Sequence, residues 1–206
     1  FSAGLLAFVM VCIMESFGMK SSSVFIWKYG QPGWLVWGLY FYFGATFILG
    51  LFINEWNIKP MLKLMKHPGR AVADFAMMNG AGTTLMNMGI MGCICTSYIL
   101  LIGGDLCGPV VGAILTAFGF SAFGAHPKNY LPVLAGIYAG TFFNHMMPTT
   151  PGIQMGAVFA VGLSPIAGQF GVVAGMLAGM LHGAVVVCTS ELYGGLNLYN
   201  NGFSTG

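Results

Sequence analysis

Residues 33–53 read GWLVWGLYFYFGATFILGLFI, a run with no charged side chain. At about 1.5 Å of rise per residue, a helix of that length crosses a hydrocarbon core of roughly 30 Å. Lipid offers no hydrogen-bonding partner, so each backbone amide and carbonyl at that depth must be satisfied within the protein. The pattern recurs. Apolar runs at 1–19, 81–102, 108–123, 130–147 and 169–189 are separated by the few charged residues, which make up 6% of the chain, against about 25% in soluble domains. The sequence predicts an all-α, polytopic transmembrane helical bundle in the cell (inner) membrane, with the lipid bilayer as its first partner. A net charge of +2 gives no footprint for nucleic acid. There is no initiator Met, and Phe1 already lies in an apolar run. The whole of 1–206 therefore reads as one membrane-embedded domain, a fragment of a longer protein.

The charges order the spans. Segment 54–70 carries Lys59, Lys63, Lys66 and Arg70 beside Met61, Leu62, Leu64 and Met65, as an amphipathic segment lying on the membrane surface does. With Lys128 in loop 124–129, one side holds five basic residues, against Lys20 and Lys28 on the other. The positive-inside rule places 54–70 in the cytoplasm. In the last run Gly171, Gly175, Gly179 and Gly183 recur every fourth residue, flanked by Ala174 and Ala178. Small residues let helix backbones approach closely, so these glycines predict helix packing, with Gly136-x-x-x-Gly140 as a partner surface. The five cysteines are odd in number and sit in apolar surroundings, as packing residues do. No motif points to a metal or a cofactor.

The functional signal lies where helices break. Met78-Asn79-Gly80-Ala81-Gly82, Pro148-Thr149-Thr150-Pro151-Gly152 and Gly194–Gly202 predict interrupted or re-entrant helices. Run 153–163 reads as too short to span, closed by Ser164-Pro165. Irregular backbone at membrane depth is tolerated only against protein or a water-filled cavity. Polar residues form two stripes: Asn79, Thr83 and Asn87, and Tyr138, Thr141 and His145 with Asn144 alongside. Together with Asn201 and Gly202 these are the candidates for a solute pathway; the plainer reading is hydrogen bonding between helices. Glu15 is the one acid deep in an apolar run.

Asn201-Gly202-Phe203-Ser204-Thr205-Gly206 has the form N-x-x-x-x-G, as does Asn87 through Gly92, and its last four residues echo Phe1-Ser2-Ala3-Gly4. This predicts an internal repeat, with 1–206 as one repeat-length of a duplicated, transporter-like fold. The phrase LNLYNNGFSTG resembles the G-Y-N-G-x-L-V-G signature that urea transporters carry in each half. Tyr199, Asn201, Gly202 and Gly206 match, with Asn200 inserted. The chain also resembles, from end to end, uncharacterised duplicated bacterial membrane proteins with domains of unknown function. The urea-transporter resemblance implies a trimer in which each protomer holds a narrow pore lined by aromatic and hydroxyl groups.

These observations favour a channel or facilitator for a small, largely neutral polar solute, urea-like in character. It would work as a homo-oligomer or paired with its missing second repeat. Paired intramembrane acids, expected of an ion-driven pump, are absent. One alternative is a non-transporting structural membrane protein. Another, weaker, is an intramembrane enzyme using His126, His145 or His182 with Asn144; their spacings of 19 and 37 fit no metal-binding or hydrolytic motif, and the expectation is that the chain is not an enzyme.

Overall fold

The computed structural model describes residues 2–19, 29–70, 73–192 and 204–205. Among them are helices and turns and no strand. The helices are α1 (Ser2–Ser16), α2 (Gly33–Ile53), α3 (Lys59–Leu64), α4 (Phe75–Asn79), α5 (Ala81–Leu101), α6 (Gly108–Phe120), α7 (Pro127–Phe143), α8 (Pro151–Phe159), α9 (Ser164–Phe170) and α10 (Val172–Leu192), with a 3-10 turn at Ala160–Leu163 joining α8 to α9. Four stretches are long and apolar enough to cross a membrane: Gly33–Ile53, Ala81–Leu101, Pro151–Phe170 and Val172–Thr189. Large apolar side chains on their outer faces, Trp34, Trp37 and Phe41 on α2 and Leu177 and Leu181 on α10, are exposed, as suits contact with lipid.

The third of these stretches differs from the sequence expectation. The run at 153–163 does not stop at Ser164-Pro165. Pro165 falls in the first turn of α9, where a missing N–H costs nothing, so the chain tightens and continues. The break lies at Gly171 instead, whose φ of +92° favours glycine. Gly171 therefore ends α9 and leaves the packing stripe, and a Cβ there would meet open space.

Two glycine-mediated helix pairs hold the bundle. Between α7 and α10, a Cβ on Gly136 would collide with the Met176 carbonyl, and one on Gly179 with the Val133 carbonyl. Gly175 is closed in by Ala167, whereas a Cβ on Gly183 would rest 3.5 Å from Ile137, an ordinary contact. Between α2 and α5 the same device recurs: Gly50 faces the Gly82 carbonyl, Gly89 the Phe43 carbonyl, and Gly92 the Phe43 ring. Phe43, Ile99, Ile114, Val133 and Ile153 are buried in one core that joins both pairs.

Loop contacts fix which ends lie together. Gly69 and Gly124 pack backbone to backbone, so segment 54–70 and the turn before α7 share one side. Tyr29 and Gly30 hydrogen-bond to Asp105 and Leu106, on the other. α6 therefore runs from one side toward the other, yet its 13 residues cover only about 20 Å. The turns that flank it lie outside regular helix, so their backbone groups need other protein partners.

The packing predicts a contrast between two glycines of one helix. Gly179→Ala places a methyl on the Val133 carbonyl and lowers stability by about 1–3 kcal/mol, the usual range for overpacking. Gly183→Ala changes the unfolding midpoint little. Thermal unfolding of the purified protein checks this, and equal effects at both positions contradict it.

Candidate functional site

The turns that flank α6 are satisfied mainly by side-chain amides. Asn87, fully buried on α5, donates from Nδ2 to the carbonyls of Ser121 and Ala125, both at 2.7 Å. Asn129 donates to the Gly124 carbonyl at 2.9 Å and accepts the His126 amide at 2.8 Å. His126 caps α7 through Nδ1, which accepts the Asn129 amide at 3.3 Å. The other ring nitrogen then carries the proton and donates to the His67 carbonyl at 2.9 Å. Burial holds the His126 pKa below its ordinary value, which keeps the acceptor nitrogen free for the cap.

The predicted stripes dissolve on this accounting. Asn79 ends α4, and Gly80, with φ of +83°, separates it from Thr83 and Asn87 on α5. Thr83 accepts a hydrogen bond from Asn54, the C-cap residue of α2, at 2.9 Å. Tyr138 is exposed and packs edge-on to Phe142, and Thr141 bonds back to the Tyr138 carbonyl. Asn144 and His145 are exposed. His145 takes a positive φ of 52° while Met146 N–H reaches the Thr141 carbonyl, a helix C-cap. The candidates therefore do not come together, and Asn201 and Gly202 lie outside the described residues. His126, His145 and His182 stand at three separate places.

What does converge is a cavity of about 590 Å3 at the opposite side from Arg70, bordered by Gln31, Asp105, Cys107, Thr149, Thr150 and Gln154 among others. Cys107 and Thr150 are the N-cap residues of α6 and α8, and neither makes a side-chain capping bond. The positive ends of two helix dipoles thus border one space, although Pro109 and Pro151 each remove one first-turn N–H. Asp105 stands at the same wall, its carboxylate accepting the Tyr29 amide at 2.8 and 2.9 Å. Gln154 is 2% exposed. Its Oε1 accepts the Asp105 amide at 3.0 Å, and its Nε2 donates to the Thr149 carbonyl. Gln31 braces the turn from outside, donating to the Gly104 carbonyl at 2.9 Å.

A buried polar line continues along α8. Tyr130 donates to the Ala157 carbonyl at 3.0 Å. His182, buried near the middle of α10, bonds through Nε2 to the Gly156 carbonyl at 3.0 Å, and its Nδ1 meets Ser204 Oγ at 2.9 Å. A ring that donates to a carbonyl from Nε2 must accept at Nδ1, so Ser204 is the donor. Thr205 lies against Gly162 of the 3-10 turn. Sequence reasoning passed over Gln154, Asp105 and Ser204. The one available signal was Gln154, the lone amide side chain between Pro151 and Gly168.

The role of Asn87 is testable. Asn87→Leu leaves the Ser121 and Ala125 carbonyls without a donor, at about 1–3 kcal/mol each. The variant is expected to unfold at a clearly lower temperature in detergent. Unchanged thermal stability would remove the structural assignment.

Neither a curated protein nor a solved structure matches this chain. A family model does match, over residues 53–206, from the last residue of α2 onward and across all of Asp105, Gln154, His182 and Ser204. The chain belongs to the family described as Protein of unknown function (DUF1576).

Proposed function

We propose that the chain forms a membrane passage for a small, neutral, polar solute, urea-like in size and hydrogen bonding, in a multi-pass protein of the cell membrane. One observation carries this: two helix N-termini without side-chain caps border the same cavity as Asp105 and Gln154. The positive ends of helix dipoles favour an oxygen acceptor, while a carboxylate and an amide oxygen favour N–H donors. A lone anion would be repelled by Asp105, and a lone cation by the helix ends. A dipolar neutral molecule satisfies both. From the cavity the polar line through the Gly156 carbonyl, His182 and Ser204 leads toward the 3-10 turn. Ser204 sits beside the middle of α10 although α10 has already run on to Leu192, which supports a re-entrant arrangement. The repeat reading has one support: Ser204 and Thr205 are helical within FSTG, as Ser2 is at the start of α1 within FSAG.

Liposomes holding the full chain should show saturable urea flux. Asp105→Asn keeps the shape but weakens a charge-assisted hydrogen bond of about 1.5–3 kcal/mol, so flux should fall at least about tenfold with the fold retained. Wild-type flux no greater than that of empty liposomes, across a panel of small neutral solutes, would sink the proposal. The Ser204–His182 bond favours one second reading, a hydroxyl activated by imidazole. Covalent labelling of Ser204 by a fluorophosphonate, absent from Ser204→Ala, would decide for it.

A further inference from the structure

On the other side of the bundle Arg70 lines a separate cavity of about 620 Å3. Its remaining wall is apolar: Phe120 and Phe123 at the end of α6, and Val161, Gly162 and Pro165 at the joint between α8 and α9. Phe120 and Phe123 are 53% and 63% exposed, so the space opens past them toward the surroundings of the bundle. Arg70 is exposed, and among the described residues no acidic side chain pairs with it. Lys59, Lys63, Lys66 and Lys128 are exposed on the same side. The acids there are Glu55 and Asp74, and the Asp74 carboxylate is already taken by the amides of Ala76 and Met77 at 2.9 and 3.1 Å.

We infer that this cavity binds an anionic phospholipid, with its phosphate on the Arg70 guanidinium and an acyl chain lying past Phe120 and Phe123. A guanidinium is a fork of donors suited to phosphate oxygens, and a basic rim beside a membrane attracts anionic lipid over zwitterionic lipid. A free phosphate would use Arg70 but leave the aromatic wall wet. The bound lipid fills the space beside the 3-10 turn, where Gly168 of α9 already rests on the Pro68 carbonyl, and so braces the joint between α8 and α9. This site is independent of the solute cavity and is tested without transport.

The test follows the unfolding midpoint of the full chain in neutral detergent while phosphatidylglycerol, phosphatidylcholine or inorganic phosphate is added. Phosphatidylglycerol should raise the midpoint with dose; the other two should do so far less. Arg70→Gln should weaken the apparent affinity for phosphatidylglycerol about fivefold, the effect of one basic side chain near a membrane surface, and Phe123→Ala should weaken it too. Arg70→Lys, which keeps the charge, should retain most of the response. An unaltered phosphatidylglycerol response in Arg70→Gln overturns the inference. So does an equal shift from inorganic phosphate, which would make the site one for free anions, or from phosphatidylcholine.

Discussion

Backbone groups that lie below a membrane surface without a regular helix around them must be satisfied by side chains, and this one requirement organises the chain. α6 has only 13 residues, and the turns at both its ends lie outside regular helix and take donors or acceptors from elsewhere. Asn87 and Asn129 supply them at one end, Gln31 and Gln154 at the other. The joint between α8 and α9 has the same need, and Tyr130 and His182 meet it by donating to the carbonyls of Ala157 and Gly156. Amides and aromatic donors in this bundle are therefore placed by where helices stop. Glycine has a complementary task. It removes side chains where α2 meets α5 and α7 meets α10, so that the helices carrying these donors come close enough to use them.

The parts of this arrangement that depend on length and period were legible in the sequence. The helix at 33–53 has the bounds its composition implies, and the Gly136 and Gly179 surfaces meet as their spacing suggests. The side shared by 54–70 and 124–129 followed from counting the two spans between them. The α2–α5 contact was not legible, because Gly82, Gly89 and Gly92 are seven and three residues apart and form no four-residue stripe. Nor was the role of the polar stripes. Asn87 facing a pore and Asn87 bonding to two carbonyls are the same letter at the same helical position, and only the tertiary placement of the Ser121 and Ala125 carbonyls beside it separates them. Asn144 and His145 mark a helix end whose left-handed residue is a histidine, where glycine is the usual signal.

The same accounting separates groups that are spent from groups that remain available to a ligand. Both amide hydrogens of Asn87 have carbonyl partners, and its Oδ1 is sealed in protein without one. Gln154 differs because it borders open volume. Its Oε1 has one partner, the Asp105 amide, and an amide oxygen has two lone pairs; its Nε2 has two hydrogens and one partner, the Thr149 carbonyl. Asp105 likewise keeps acceptor capacity beyond the single amide of Tyr29. Against these stand the N-termini of α6 and α8, which no side chain caps and whose dipoles point their positive ends at the cavity. Under the proposed function, a wall with spare acceptors on one part and positive helix ends on another favours a solute carrying both kinds of group a short distance apart. Water satisfies it as well. This wall alone therefore does not discriminate against water.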